Sequence, residues 1–190
     1  MNRHAAHRPA TIVRESTPGD AWAGARPWEV GYDLGAALGP LRDLADPAVP
    51  RVACLAVQAV LVVSTADALG WPEPPGPQRR AARDLVRAGG SSALRRRAIT
   101  VLRASRRLAL REDRLAARGL YRALGRLADT APGPCSAAAC TRLAFAVAAR
   151  HRIEASAHAS AARLARVAAA HGASRDAERW ERWARPSGGG

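Results

Sequence analysis

Apolar residues recur every three to four positions along much of this chain, which is the spacing of one face of an α-helix. Leu120, Leu124 and Leu127 show this spacing, and residues 94–109 repeat it. The apolar residues are mainly alanine, leucine and valine, whereas aromatic residues make up only 4% of the chain. Alanine and leucine favour helices, and strand-like runs of β-branched and aromatic residues are missing. The sequence therefore predicts an all-α fold, either a helical bundle or stacked helix hairpins.

Proline and glycine divide this pattern into six to seven predicted helices. A first helix is predicted over 28–45, and a second begins after Pro47 and Pro50 and ends near Gly70. A third predicted helix covers 79–88, and a fourth is capped by Ser91 or Ser92 and ends near 111. The segment up to 129 either follows a break at 112–113 or continues the helix before it. Residues 136–171 are predicted to form one helix or two, and a last short helix is capped by Ser174.

A length of 190 residues suits a single domain. Residues 1–25 are polar, contain prolines and glycines and show no helical period, so we expect a disordered basic arm there. Residues 26–186 form the predicted helical domain, in which the proline-rich stretch 71–78 is expected to be a stiff, non-helical connector. Residues 187–190 are predicted to be a flexible tail.

The cysteines and the apolar runs bear on the compartment. The chain has only three cysteines, which is too small a number and an odd one for a disulfide framework; they are Cys54, Cys135 and Cys140. A reducing cytoplasm is therefore expected. The N-terminus is charged and lacks the apolar run of a secretory signal. The longest apolar run, 52–63, is interrupted by Gln58 and is shorter than the roughly 20 apolar residues of a membrane span. We therefore expect a core helix at this position and no integral membrane association.

Positive charge is concentrated in residues 79–126, which hold 15 arginines and three acidic residues in a chain of net charge +14. All 30 basic residues are arginine, and with the many alanines, glycines and prolines this is typical of a GC-rich bacterial genome. The preference for arginine over lysine is therefore weak evidence of phosphate recognition. The net charge is a stronger signal, because codon usage does not prevent acidic residues from balancing it.

The arginines of this basic protein are predicted to point away from the core. Those on the helix after 113 recur every fourth residue and so form one stripe, opposite the leucines. The predicted anion-binding face comprises Arg96, Arg103, Arg107, Arg114, Arg118, Arg122 and Arg126. Its simplest interpretation is a solvated helix surface. Its functional interpretation is that residues 79–126 bind an acidic protein or a nucleic acid, although few aromatic residues are available to stack on bases.

A second candidate site is the segment 151–158. His151, Glu154 and His158 are three and four residues apart and would share one face of a continuous helix. Imidazole and carboxylate groups bind zinc or iron, and the same trio can act as a general base with an orienting carboxylate. Isolated acidic residues that could add a ligand are Asp33, Asp67 and Asp129. The spacing differs from known zinc and di-iron motifs, and a solvated helix surface is the simpler interpretation.

Two functional hypotheses follow from the sequence. The first is a non-catalytic helical interaction or adaptor protein that presents its arginine-rich face to an acidic partner and needs no cofactor. The second is a small all-helical enzyme of a specialised bacterial biosynthetic pathway, either metal-dependent with zinc or iron or acting by acid–base chemistry, and centred on His151, Glu154 and His158. The first is preferred because it uses the stronger sequence feature.

Overall fold

The computed structural model describes residues 38–70 and 76–185. The predicted arm, the predicted tail and residues 28–37 of the first predicted helix lie outside the described residues. The described part contains a 3-10 helix at Gly39–Ala45 and seven α-helices, and it contains no strand. The α-helices are α1 (Arg51–Leu69), α2 (Gly76–Ala88), α3 (Ser92–Arg111), α4 (Arg114–Ala128), α5 (Pro134–Arg150), α6 (Glu154–Ala170) and α7 (Ser174–Ala184). The predicted all-α class is confirmed, and the predicted helix number is approximately correct.

Helices that follow one another in the chain pack side by side through short connections. From α3 to α7, each helix packs against the next, as expected for antiparallel neighbours. Helix α1 packs against α2, α3 and α5, and the 3-10 helix packs against α1 and α5. Helices α1 and α5 therefore form the centre of the described fold.

Helix α1 is the core helix that the apolar run predicts. It buries Val57, Val60 and Leu61 completely. By length and composition alone α1 could also cross a membrane, but 67% of its apolar stretch is buried inside the fold. The core of this protein accounts for its apolar character, since a central helix must be apolar on most of its circumference.

Side-chain caps settle the division between α3 and α4. The Ser91 hydroxyl oxygen accepts a hydrogen bond from the Leu94 amide at 3.2 Å, so α3 has one of its two predicted caps. Helix α3 ends at Glu112, whose φ of 50° is left-handed, and the Asp113 carboxylate then accepts from the Ala116 amide at 2.6 Å. A left-handed residue followed by a new cap stops one helix and starts the next. The alternative of one continuous helix up to residue 129 is therefore wrong.

Three predicted helix starts differ from the structure. Helix α5 begins at Pro134, two residues before the predicted start. Helix α2 already begins at Gly76, so the last three residues of the predicted connector are helical. Pro77 is tolerated there because the amides of the first turn need no partner within the helix. Helix α7 begins after Ala173, and no side-chain cap hydrogen bond forms there, so the prediction that Ser174 is the cap is wrong.

The start of α5 is capped from a distant part of the chain. The buried Asp43 carboxylate, on the 3-10 helix, accepts hydrogen bonds from the Cys135 amide at 3.0 Å and from the Ser136 amide and hydroxyl at 2.8 and 2.6 Å. Gly133 makes this approach possible, because a Cβ atom there would lie only 2.5 Å from the Asp43 Cγ. A carboxylate at this position satisfies amides that have no partner within the helix and complements the helix dipole.

Candidate functional site

A groove of about 680 Å³ lies between α2 and α3, and most of the side chains that line it are arginines. It is lined by Arg83 and Arg87 of α2 and by Ile99, Leu102, Arg103, Arg106, Arg107, Leu110 and Arg111 of α3. We call it the arginine groove. Among these lining residues six are arginines, three are aliphatic, and none is acidic or aromatic. Its chemistry therefore combines positive charge with an aliphatic floor.

The spacing of buried residues explains why these side chains face outward. Helix α2 buries only Ala82 and Val86, so Arg83 and Arg87 lie one turn apart on its exposed surface. On α3 the buried positions recur every three to four residues, which leaves arginines on most of the outer face; they are Leu94, Ala98, Val101, Ser105 and Leu108. Leu110 is an exception among the apolar residues, because 71% of it is exposed.

A buried ion pair fixes α2 and α3 to α1. The Asp67 side chain of α1 is only 2% exposed. Its two carboxylate oxygens accept hydrogen bonds from the two terminal nitrogens of Arg79, on α2, at 2.8 and 3.2 Å. The Ser105 hydroxyl, from α3, donates to the same carboxylate at 2.9 Å. Three helices are therefore joined at one carboxylate, and the two helices that form the groove are held in register with each other.

The turn between α2 and α3 also depends on close packing. Gly89 passes so near to α1 that a Cβ atom there would lie 2.7 Å from the Val52 carbonyl oxygen. Only glycine permits this approach without a shift of the backbone. The groove is therefore preformed by a fixed turn at one end and by a buried ion pair further along.

The predicted anion-binding face is divided in the structure. Its seven arginines are all exposed, but only Arg103 and Arg107 line the arginine groove. The other members are Arg96 on α3 and, along α4, Arg114, Arg118, Arg122 and Arg126. Four groove arginines were not in the predicted face; they are Arg83, Arg87, Arg106 and Arg111. The periodicity of a single helix indicates which arginines face outward but not which of them line one groove, because the groove arises where two helices meet.

Two of the arginines on α3 and α4 have structural roles. The Arg114 guanidinium donates a hydrogen bond to the carbonyl oxygen of Arg152, in the turn between α5 and α6. The Arg97 guanidinium donates to the carbonyl oxygen of Arg126 at 2.6 Å, which ties the start of α3 to the end of α4. In the groove, Arg87 pairs with Asp84 at 3.3 Å, but both side chains are largely exposed, so this pair contributes little.

The predicted histidine trio does not share one helix face. Helix α5 ends at Arg150 and α6 begins at Glu154, and Arg152 between them has a left-handed φ of 52°. The Ile153 amide donates to the Ala148 carbonyl at 2.8 Å, which closes the end of α5. Because the chain turns here, His151 lies at the end of one helix while Glu154 and His158 lie on the next. The prediction of a common face is therefore wrong.

His151 lines a separate cleft of about 400 Å³, where the C-terminal ends of α1, α3 and α5 meet. Its Nε2 atom is buried and has no hydrogen-bond partner among the described residues. Burial lowers the pKa of this imidazole below its ordinary value of 6.5, and the positive charge of Arg150 lowers it further, whereas Glu112 and Asp113 oppose the shift. The neutral form of His151 is therefore favoured, which suits a base or a hydrogen-bond acceptor.

The other predicted ligands are engaged elsewhere or exposed. The His158 Nδ1 lies 2.8 Å from the carbonyl oxygen of Trp183, which can only accept, so the imidazole donates and fastens the end of α7 to α6. Glu154 is exposed. Asp67 and Asp129 pair with arginines, and Asp33 lies outside the described residues. Within the described part of the chain, no group of three or more histidine, cysteine or acidic side chains is arranged to hold a metal ion.

The thiols are poorly suited to nucleophilic chemistry. All three cysteines are free. Burial raises the pKa of Cys140 to about 12, and burial is also the largest cause of the raised pKa of Cys54 and Cys135. Because the thiolate is the reactive form, these residues behave as packing groups at neutral pH.

Comparison with known proteins adds no further information about the site: no family model matches the sequence, and no curated protein or solved structure matches it either.

Proposed function

We propose that this protein is a non-catalytic helical interaction or adaptor protein that binds an acidic partner through residues 79–126, with the arginine groove as the centre of the contact. The observation that carries this proposal is the convergence of six arginines on one groove whose described lining contains no acidic side chain. Guanidinium groups held close together repel one another, and an external anion relieves that repulsion. The stacked arrangement of helix hairpins serves here as a rigid support for two basic helices.

The groove is supported as a binding surface by its rigidity. The Asp67 carboxylate holds α2 and α3 in place, so the backbone of these helices needs little ordering when a partner binds. A preformed surface loses less conformational entropy on association than a flexible one. We also propose that the protein acts in the cytoplasm, because its three cysteines are free thiols.

The first test is salt-dependent binding to poly-L-glutamate, compared between two sets of variants that remove equal charge. One set replaces Arg83, Arg103 and Arg107 in the groove with glutamine. The matched control replaces Arg118, Arg122 and Arg126 of α4, which are exposed outside the groove. We expect the wild type to bind at low salt and to be released as salt rises, because screening weakens charge attraction. The groove variant is expected to bind at least about tenfold more weakly than the control.

Two results would count against the proposal. If the wild type does not bind polyglutamate even at low salt, the protein is not an acceptor for acidic partners. If the groove variant and the α4 variant lose affinity equally, binding follows net charge and the groove has no special role. Circular dichroism of each variant would establish that its helices are intact.

Our second proposal is that the protein is a metal-dependent or acid–base enzyme, and the residue that supports it is His151. The unpartnered Nε2 atom and the lowered pKa of this side chain in a concave cleft are features of functional histidines. Zinc and iron analysis of the purified wild type and the His151→Ala variant would test the metal-dependent form. Metal in the wild type that is absent from the variant would favour it, and metal-free wild-type protein would count against it.

A further inference from the structure

We infer that the occupant of the arginine groove is an acidic amphipathic α-helix of a partner protein, with its apolar side on Ile99, Leu102 and Leu110 and its carboxylates on the flanking arginines. This inference rests on the proposed function and makes it more specific. It depends on an observation that the charge alone does not explain, which is the aliphatic floor of the groove.

The floor of the groove has the geometry of a helix-binding seam. At 100° per residue, Ile99 and Leu110 point within about 20° of each other and lie about 16 Å apart along α3, which is three helical turns. An amphipathic helix with apolar residues at positions i, i+4, i+7 and i+11 presents a line of the same length. The two surfaces are therefore matched in spacing.

Arginines lie on both sides of this aliphatic line, and Arg106 interrupts it, about 20° from the direction of Ile99. Arg103, Arg107 and Arg111 follow one another at four-residue spacing on α3 and turn gradually away from the direction of Leu110. Arg83 and Arg87 lie on α2, across the groove. A line of aliphatic side chains that is bordered by arginines, and interrupted by one, complements a helix whose apolar strip is bordered by acidic residues. Charge and shape thus select the same occupant.

Among the three aliphatic residues that line the groove, Leu110 is the one that is most exposed. It is 71% exposed, whereas Ile99 and Leu102 are partly buried and pack against the core. Covering an exposed leucine is favourable, and apolar anchors surrounded by charges commonly dominate the affinity of an interface. Leu115, at the start of α4, is 73% exposed and lies outside the groove, so it offers a matched control.

A nucleic acid fits this groove less well. Proteins that bind single strands stack bases on aromatic side chains, and none of the described lining residues is aromatic. Phosphates could pair with the arginines, but they would leave the aliphatic floor uncovered. Binding of an oligonucleotide is therefore kept as an outcome of the test.

The inference is tested with fluorescein-labelled peptides of about 18 residues, long enough to hold a helix in an alanine-based sequence. One peptide has leucines at i, i+4, i+7 and i+11 flanked by glutamates. The control peptide has the same glutamates and glutamine in place of each leucine. Fluorescence anisotropy measures binding of both to the full-length wild type and to the Leu110→Gln and Leu115→Gln variants, with a fluorescein-labelled oligothymidine of equal charge measured in parallel.

We expect the wild type to bind the leucine peptide roughly 10- to 100-fold more tightly than the glutamine peptide, the range expected from burying leucine side chains. Leu110→Gln should remove most of that difference, and Leu115→Gln should leave it unchanged. An exposed leucine is a safe position for substitution, so both variants should fold.

The possible failures are distinguishable. If both peptides bind equally and Leu110→Gln has no effect, the helix inference is wrong, while salt-dependent binding would still support an acidic partner. If the oligothymidine binds more tightly than the leucine peptide, a nucleic acid is the better occupant and the inference is overturned. If no acidic ligand binds at low salt, the proposed function fails as well.

Discussion

At the scale of single residues, His151 combines an unusual set of properties. Its side chain is half-buried at the end of α5, its Nε2 has no partner among the described residues, and burial disfavours its charged form. Arg150, the adjacent residue, donates to the Leu69 carbonyl and adds positive charge near the imidazole. Protonation of His151 therefore adds a positive charge at a partly desolvated position that already lies near Arg150.

The pH dependence of stability follows from this arrangement. The folded-state pKa of His151 lies below the ordinary value of 6.5, so between these two values the unfolded chain binds more protons than the folded one. Stability is therefore unaffected by His151 above about pH 7 and decreases as the pH falls through this interval. We predict that the free energy of unfolding of the wild type decreases more between about pH 7.5 and pH 5 than that of His151→Gln.

Chemical denaturation at several pH values measures this difference. The control is His171→Gln, because His171 caps α6 as His151 caps α5 but is exposed. The control should retain the pH dependence of the wild type. An identical pH dependence in the wild type and His151→Gln would show that His151 does not destabilise the folded state at low pH.

At the scale of helices and turns, the ends of α5 and α6 are two examples of one motif. After each helix come a histidine, a left-handed residue and an apolar residue whose amide donates to a carbonyl five positions back. The left-handed residue is Arg152 in the first turn, with φ of 52°, and Gly172 in the second, with φ of 70°. Glycine adopts this conformation at little steric cost, whereas other residues are strained there.

Exchanging these residues should change stability in opposite directions. We predict that Arg152→Gly raises the free energy of unfolding by about 0.5–1 kcal/mol, because strain is relieved while the exposed side chain contributes little. Gly172→Arg should lower it by about 1–2 kcal/mol, although a Cβ atom there would meet no neighbour within 4 Å. Guanidinium titrations measure both. A loss of stability in Arg152→Gly would mean that the arginine side chain stabilises the turn.

At the scale of the whole molecule, the ion pair of Asp67 joins three helices and places a charged group inside the fold. Breaking a buried pair leaves one charge without compensation and is more costly than losing an exposed pair. This contact also connects the stability of the core with the shape of the groove, because Arg79 belongs to α2 and Ser105 to α3.

We predict that Arg79→Met lowers the free energy of unfolding by about 3 kcal/mol, since the Asp67 carboxylate then remains buried without its partner. Arg87→Met is the matched control on the same helix, and its exposed pair with Asp84 should contribute less than about 1 kcal/mol. Urea denaturation gives both values. Equal losses in the two variants would indicate that water reaches the Asp67 pair and screens it.

Much of this fold can be predicted from local sequence patterns, whereas the candidate site can be predicted from them only in part. The all-α class, the core helix α1 and the outward arginines depend on periodicity within single helices, which a sequence displays directly. The break at Arg152 has no glycine or proline to mark it, so the sequence leaves one helix or two open over 136–171, and the predicted shared histidine face requires a continuous helix. The arginine groove depends on contact between α2 and α3, and the pairing of Asp67 with Arg79 depends on packing that no local pattern encodes.

The distant cap on α5 has a consequence for the synthesis of the chain and for its truncation. Asp43 and Ser136 are separated by 93 positions, so the start of α5 receives its cap only after most of the chain has been synthesised. A fragment that begins at α1 would contain the groove and every helix of the described fold after the 3-10 helix, yet it would lack this carboxylate. Such a fragment is therefore expected to be less stable than the intact chain, although all of its binding residues lie far downstream of Asp43.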